Sequence, residues 1–251
     1  MLKKPVLGMP LVAVAFAVGL GLQSLPVRAE GMDAAAMPAA KAPPHATFID
    51  PAAFDYAKLL PAPPAAGSLE AMTDLDTILQ VQGLRSAAEA EWAGTVIKGD
   101  AFSSSDIIGS WFSAQDLPVT AELFKKVKAD AGAAVDAAKD VFKRERPYSV
   151  SAEVQPCVNK PGGYSYPSGY ATQVYVTNGV LAELFPDKRA QLEAQARQRA
   201  WARVVGGVHF PTDLAAGKQL SQAVLARMLQ SPEFRAEADK AREEIHARAG
   251  K

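Results

Sequence analysis

Hydrophobic residues recur at intervals of three and four positions through most of the chain after residue 68. This spacing gathers apolar side chains on one face of a helix, and no stretch shows the strict alternation that is typical of a half-buried strand. The sequence therefore predicts an all-α fold, with one compact helical domain over residues 69–251. The predicted helices span residues 72–96, 104–112, 119–144, 168–184, 187–205, 211–229 and 232–247.

The N-terminal residues follow a different pattern. Two lysines precede an apolar run over residues 6–22, and Val27-Arg28-Ala29 then provides a cleavage site, which is the order of a secretory signal peptide. An uncleaved membrane anchor is the alternative, because the run is just long enough to span a bilayer. The cleavage site and the helix-breaking residues favour export, so residues 1–29 are predicted to be a signal peptide and the protein to be periplasmic or secreted.

The segment between the signal peptide and the helical domain has a composition of its own. Residues 30–68 are rich in alanine and proline and lack a sustained apolar period. Such segments do not form regular helices, so residues 30–68 are predicted to be a flexible or extended leader into the domain.

Composition and charge limit the classes of function. With 251 residues and 49% hydrophobic content, the chain is long enough to bury a sizeable core. It has 27 basic and 27 acidic side chains, and removal of Lys3, Lys4 and Arg28 with the signal peptide leaves a net charge of about minus three. That balance gives no reason to expect nucleic acid as a partner. Cys157 is the single cysteine, so the chain cannot form an intrachain disulfide.

Candidate chemistry begins with two cations at the end of an alanine-rich run. Lys139 and Arg146 are seven residues apart, which is two helical turns, so both are predicted to project from one face. Pro147 is predicted to stop the helix beside them. Taken alone, such a pair is more often two solvated surface charges than a binding site.

A second motif, Pro167-Ser168-Gly169-Tyr170, precedes the apolar run over residues 171–184. The proline and glycine mark a tight turn, so Ser168 and Gly169 are predicted to lie at a helix N-terminus. Free backbone N–H groups and the positive end of the helix dipole favour an anion at such a position.

The third motif contains an arginine, a histidine and an aspartate. The helix that carries Arg203 is predicted to break at Gly206-Gly207. His209 and Asp213 have i, i+4 spacing and are predicted to share one face of the next helix. A carboxylate placed in this way fixes the imidazole tautomer and leaves the other ring nitrogen free to attack. A buried structural pair is the alternative, but the nearby arginine favours an anion site, and the three motifs together predict a phosphate site.

In the order and spacing of these motifs, the sequence resembles the bacterial class A non-specific acid phosphatases, which belong to the type 2 phosphatidate phosphatase and vanadium haloperoxidase superfamily. The motifs are Lys-x6-Arg-Pro, then Pro-Ser-Gly, then Arg-x5-His-x3-Asp. The likeness runs from the proline-rich segment at residues 60–64 through Tyr164-Ser165-Tyr166 to the C-terminal helix. It implies an all-α fold whose active site is formed by helix ends and a long loop. It also implies an exported enzyme that hydrolyses small-molecule phosphate monoesters.

The resemblance implies a role for each motif residue. His209 would attack phosphorus and form a phosphohistidine, and Asp213 would orient its ring. No metal or other cofactor is implied, because cationic side chains take the place of a metal. The implied phosphate-binding residues are Lys139, Arg146, Ser168, Gly169 and Arg203.

Two positions depart from the family pattern. Tyr170 stands where the family usually has the histidine that protonates the leaving alcohol, and Ala202 stands where it usually has a serine. A phenol has an ordinary pKa near ~10 and is a poor acid at low pH. General-acid help is worth roughly a hundredfold to ten-thousandfold, so alkyl phosphates are expected to react weakly while activated aryl phosphates still react. Three interpretations of Tyr170 are left open: it is a surviving acid, a steric plug or a neutral change.

Other functions stay open at this point. The resemblance implies one alternative, because the same constellation in this superfamily can hold vanadate and oxidise halides, as in a vanadate-dependent haloperoxidase. The two departures motivate a second alternative, a non-catalytic phosphate-binding relative. A lipid phosphatase is less favoured, because the chain after the signal peptide has no membrane-spanning run, and no membrane partner is expected after cleavage. Helical relatives often self-associate, so the sequence leaves a homo-oligomer open.

Overall fold

The computed structural model describes residues 46–249, and these form α-helices, short 3-10 turns and loops, with no strand. The predicted signal peptide and the first part of the predicted leader, residues 30–45, lie outside the described residues. The all-α prediction is confirmed. The helices in chain order are α1 Tyr56–Leu59, α2 Leu69–Leu84, α3 Ala87–Thr95, α4 Ser105–Ile108, α5 Pro118–Phe142, α6 Pro147–Val150, α7 Gly169–Leu184, α8 Arg189–Val205, α9 Pro211–Gln230 and α10 Pro232–Ala249.

Helix α7 lies at the centre of the fold and packs against α5, α8 and α9. It is apolar on nearly all sides, and Val176, Val180 and Leu181 are fully buried, as expected for a helix that is surrounded by others. Helix α10 covers α5 from outside, where the rings of Phe48 and Phe234 meet edge to face at 5.4 Å between centroids. The N-terminus of α7 is therefore held by packing on three sides, which suits a site that needs fixed geometry.

The described part of the predicted leader packs against the helices. The carboxylate of Asp130 in α5 accepts hydrogen bonds from the backbone N–H groups of residues 47, 48 and 49 at 2.6, 2.7 and 3.1 Å. Tyr56 and Leu60 are buried in the main core, and Tyr166 donates its hydroxyl hydrogen to the carbonyl of Pro61 at 2.6 Å. Residues 46–68 thus lack a sustained helical period because they pack against the helical domain through short turns, the single-turn helix α1 and extended backbone.

One predicted helix is wrong in its extent. Residues 72–96 were expected to form a single helix, but α2 ends at Leu84 and α3 begins at Ala87. Ser86 caps α3 in a reciprocal arrangement with Glu89, in which each side chain bonds the other residue's backbone N–H, at 3.2 and 2.8 Å. This serine and glutamate are the local signal for a helix start, and the continuous apolar period concealed it.

Two further predictions about the motif helices are wrong. Helix α5 ends at Phe142, where Lys143 adopts a left-handed conformation with φ of 49°, so Arg146 lies beyond the helix and precedes α6. His209 likewise precedes α9 and does not lie on it. The helix predicted over residues 104–112 is also wrong in its extent, because α4 ends at Ile108, before Gly109 with φ of 137°, and Pro147 begins α6 instead of stopping α5. Two boundaries agree with expectation: Ser168 caps α7, and α8 ends before Gly207, whose φ is 72°. Within residues 46–249, no helix is long and apolar enough to cross a membrane.

Candidate active site

The three sequence motifs meet where the N-termini of α7 and α9 face each other. The backbone N–H of Ser168 donates to the carbonyl oxygen of Asp213 at 2.9 Å, which joins the two helix starts. Gly217 allows this approach, because a Cβ at that position would lie 2.8 Å from the carbonyl oxygen of Ser168. Residues that are far apart in the sequence therefore share one small, buried volume.

His209 lies between a carboxylate and a guanidinium group. Its Nδ1 is 3.2 Å from Oδ2 of Asp213, and a terminal nitrogen of Arg146 is 3.2 Å from its Nε2. Because a carboxylate only accepts and a guanidinium only donates, Nδ1 carries the proton and Nε2 carries the lone pair. Burial lowers the pKa of His209 to about 4, although Asp213 acts in the opposite direction. The imidazole is therefore neutral from mildly acidic pH upward, and its Nε2 lone pair accepts the hydrogen bond from Arg146.

Asp213 is held by four donors. Its Oδ2 accepts from His209, from the hydroxyl of Ser165 and from the backbone N–H of Phe210 at 2.9 Å, and its Oδ1 accepts from Arg144 at 2.8 Å. Burial acts to raise the pKa of this carboxyl group, but the hydrogen bond from His209, the charge of Arg144 and the hydrogen bond from Ser165 hold it below the usual value. Asp213 consequently stays ionised and fixes the ring of His209.

Arg144 and Asp74 extend this network to α2, and the sequence analysis missed both. Arg144 bridges the two carboxylates at 2.8 Å each, and its guanidinium carbon lies 4.0 Å from the centre of the Phe210 ring. Asp74 also accepts from the backbone N–H of Thr212 at 3.2 Å and from its hydroxyl. Arg144 had the appearance of one more charge in a basic stretch, and Asp74 occupies a helix with no recognisable motif.

Arg146 is fixed by three backbone carbonyl groups, two of them in the long loop between α6 and α7. It donates to the carbonyls of Gly162, Gly163 and Val208 at 3.1, 3.0 and 3.0 Å. Burial lowers the pKa of Arg146 from its usual value, yet an arginine remains charged in proteins. The loop between α6 and α7 therefore holds one fixed cation directly against the attacking nitrogen of His209.

Arg203 is buried with fewer hydrogen-bond acceptors than its guanidinium group needs. Its side chain is 6% exposed, and its Nε and one terminal nitrogen find no hydrogen-bond partner among residues 46–249. Its guanidinium carbon lies 5.7 Å from the centre of the Tyr170 ring. Burial, followed by the charge of Arg146, lowers the pKa of Arg203. A buried cation with unpaired donors is costly, and a bound anion would satisfy it.

Lys139 and the start of α7 complete the polar surroundings. The ammonium group of Lys139 donates to the carbonyl of Tyr164, and burial together with the charge of Arg146 lowers the pKa of Lys139 to about 8. Gly169 is the first residue of α7, and a Cβ there would lie 3.1 Å from Val135 and 3.9 Å from Lys139. The first N–H groups of a helix have no partner inside it, so the Gly169 amide is available to an anion.

Tyr170 is placed differently from the other predicted site residues. Its hydroxyl donates to the carbonyl of Val96 at 3.0 Å, and burial raises its pKa. Its ring, in contrast, lies against Arg203. The structure thus brings together all the other predicted residues and directs the phenol proton of Tyr170 toward the backbone. Those residues are Lys139, Arg146, Ser168, Gly169, Arg203, His209 and Asp213.

The arrangement suits an anion of phosphate size beside a nucleophile. Arg146 contacts Nε2 of His209, the charges of Arg146 and Lys139 both act on the imidazole, and Arg203 lies near enough to Arg146 for the two charges to interact. The N-terminus of α7, capped by Ser168, is joined to the start of α9 beside them. Among residues 46–249, no group of three or more histidine, cysteine, aspartate or glutamate side chains is placed to hold a metal ion. The positive charge of this site comes from lysine and arginine.

Comparison with known proteins agrees with this geometry. Residues 127–236 match the PAP2 superfamily, and this range contains every motif residue of the site. The chain is 28% identical over 207 residues to a non-specific acid phosphatase of Providencia stuartii, covering 77% of this chain and 82% of the relative. It is 27% identical over 164 residues to a non-specific acid phosphatase of Salmonella typhimurium, covering 62% and 65%. The predicted resemblance is confirmed.

The fold has a solved counterpart as well. The crystal structure of a bacterial vanadium-dependent iodoperoxidase superposes with a TM-score of 0.54 at 19% sequence identity, over 71% of this chain and 54% of that chain. At this identity the match establishes a shared helical fold.

Proposed function

We propose that this chain, whose residues 127–236 match the PAP2 superfamily, is an exported acid phosphatase that hydrolyses phosphate monoesters through a phosphohistidine. The similarity to non-specific acid phosphatases supports phosphatase activity. The observation that carries the proposal is the buried guanidinium of Arg203, two of whose nitrogen atoms have no hydrogen-bond partner among residues 46–249, in the same site as the neutral, oriented His209.

In the first step, the lone pair of Nε2 of His209 attacks phosphorus and the bond from phosphorus to the ester oxygen breaks. The ring becomes a positively charged phosphoimidazolium, and Asp213 stabilises this charge through Nδ1–H. The negative charge on the phosphoryl oxygens is distributed among Lys139, Arg146 and Arg203. These groups are already in place, so they favour the transition state without reorganisation.

In the second step, water attacks phosphorus and the bond between nitrogen and phosphorus breaks. One proton of the water passes to solvent, the electron pair returns to Nε2, and inorganic phosphate leaves. The hydroxyl of Ser168 and the amide of Gly169 hold the phosphoryl oxygens in both steps, because the helix N-terminus carries partial positive charge.

The departing alcohol receives little proton help in this proposal. The hydroxyl of Tyr170 is bonded to the carbonyl of Val96 and its pKa is raised, so it is a poor acid at low pH. Leaving groups that are stable as anions do not need that proton. Aryl phosphates should therefore be hydrolysed much faster than alkyl phosphates.

Hydrolysis of 4-nitrophenyl phosphate by the wild type and His209→Ala tests the proposal. Turnover in the wild type and its loss in the variant are expected. Two other outcomes would decide for the alternatives: phosphate binding without turnover would identify a non-catalytic relative, and vanadate-dependent oxidation of iodide without phosphatase activity would identify a haloperoxidase. Export is checked separately by N-terminal sequencing of protein from the periplasmic fraction, which should begin at Glu30.

A further inference from the structure

A cavity of about 290 Å3 lies beside the candidate active site, between α5, α7, α8 and the turn after residue 96. Its wall is mainly apolar and includes the side chains of Phe102, Phe124 and Val174. The volume is near the lower end of the range for small-molecule sites and is suited to a group the size of one aromatic ring. None of the catalytic steps above uses this cavity.

The same helices connect the cavity with the phosphate-binding groups. Arg199 lines the cavity and precedes Arg203 by one turn of α8, about 6 Å along the axis. On α7, Val174 follows Gly169 by slightly more than one turn. Tyr170 borders both regions, because it lines the cavity and its ring lies 5.7 Å from Arg203. A substituent on a bound phosphate therefore reaches the cavity within about 10 Å.

Charge at the cavity is positive. Lys125, Lys128 and Arg199 line it, and Arg199 is 8% exposed with a hydrogen bond from one terminal nitrogen to the carbonyl of Ser103. The acidic side chain at the cavity, Asp100, is occupied at the start of the neighbouring 3-10 turn, where its Oδ1 accepts from two backbone N–H groups. An anion is therefore the complementary group for this rim.

We infer that this cavity binds the leaving group of the substrate, and that the preferred substrate is a phosphate monoester of an apolar or aromatic alcohol that carries a second anionic group. The inference rests on the proposed phosphatase function. The apolar body lies against Phe102 and Phe124, and the distal anion, a carboxylate or a second phosphate, meets Lys125, Lys128 and Arg199. Lys139, Arg146 and Arg203 hold the phosphoryl group that is transferred.

Two substrates that share a phenyl ring isolate the contribution of the distal anion to substrate preference. Phenyl phosphate and 4-carboxyphenyl phosphate differ by one carboxylate, and their kcat/KM ratio in each variant is compared with the wild-type ratio, so that differences in leaving-group reactivity cancel. The double variant Lys125→Gln, Lys128→Gln should lower the preference for the carboxylated substrate about three- to tenfold at low salt. High salt should reduce the wild-type preference in the same direction.

A matched control lies on the same helix. Lys126 is paired with Glu237 of α10 at 2.5 Å and does not line the cavity, so Lys126→Gln should keep the wild-type ratio.

The apolar wall of the cavity is tested by Ala121→Phe. The larger side chain fills the cavity and should lower the preference for phenyl over methyl phosphate by about tenfold. Unchanged ratios in both the double variant and Ala121→Phe would overturn the inference.

Binding measurements separate this inference from the proposed function. Calorimetry on His209→Ala compares 4-carboxyphenyl phosphate with inorganic phosphate. Tighter binding of the ester, weakened by Ala121→Phe, supports the cavity even if the wild type has no turnover, in which case only the catalytic proposal fails. Equal affinity for the two ligands overturns the cavity inference while leaving the phosphatase proposal to its own assay.

Discussion

Arg144 is expected to set the acid limit of activity, although it does not touch the phosphate site itself. It lies 2.8 Å from Oδ1 of Asp213, and the two side chains are 10% and 0% exposed. Replacing Arg144 alone would leave Asp74 as an unpaired buried carboxylate, which is strongly destabilising. The informative change is therefore the double variant Arg144→Gln, Asp74→Asn, which removes one charge of each sign and keeps two polar side chains in place.

The magnitude follows from the distance between the charges. Two unit charges about 4 Å apart interact by ~4 kcal/mol at an effective dielectric constant near 20, which corresponds to ~3 pKa units. Measured shifts from an opposite charge at this range are about one to three units. Loss of Arg144 should raise the pKa of Asp213, and the less neutralised carboxylate should raise the pKa of His209 from its value of about 4.

Both shifts have the same consequence for activity, because protonation of either group removes the oriented, neutral imidazole. A profile of kcat/KM against pH should show the acid limb of the double variant displaced upward by about one to two units. The exposed pair of Arg242 with Asp239 supplies the control, and Arg242→Gln should leave the limb in place. An unmoved acid limb in a folded double variant would refute the reasoning.

Three other changes test separate parts of the structure. Lys139→Met should lower kcat/KM and abolish the decline that the wild type is expected to show as pH rises through about 8, where Lys139 loses its charge; a pH profile with an aryl phosphate checks this. Tyr170→Phe should keep most activity, whereas Tyr170→His should raise kcat on alkyl phosphates by roughly a hundredfold, as measured by phosphate release. Asp130→Ala removes the acceptor of three backbone N–H groups, two of them buried, and should destabilise the fold by about 2–4 kcal/mol, as measured by urea unfolding; the control Asp136→Ala should leave the stability unchanged.

The helical fold could be predicted because its signal is local. Apolar spacing identified most helices, and the capping position of Ser168 and the break before Gly207 follow from turn chemistry that depends on neighbouring residues alone. The end of α5 carries no such signal. Lys143 adopts a left-handed conformation that is unusual for lysine, so the chain leaves the helix after Phe142 and Arg146 lies outside it.

The sequence predicted which residues belong to the candidate site but only part of how they are arranged. Arg146 and His209 meet at 3.2 Å although neither lies on the helix that was predicted to carry it. Their positions depend on carbonyl groups of a loop whose path is set by tertiary packing. Asp74 and Ser165 support Asp213 from separate segments, and such contacts leave no periodic or spaced pattern in a single sequence.

The central claim is that His209 carries the phosphoryl group, and trapping that intermediate tests it most directly. The wild type is mixed with 4-nitrophenyl phosphate, quenched in base to preserve a phosphoramidate, and digested for mass spectrometry. The account predicts phosphate on the peptide that contains His209, formed within the first turnover and absent from His209→Ala. Steady turnover with no phosphorylated peptide at early times, or phosphate on another residue, would contradict it.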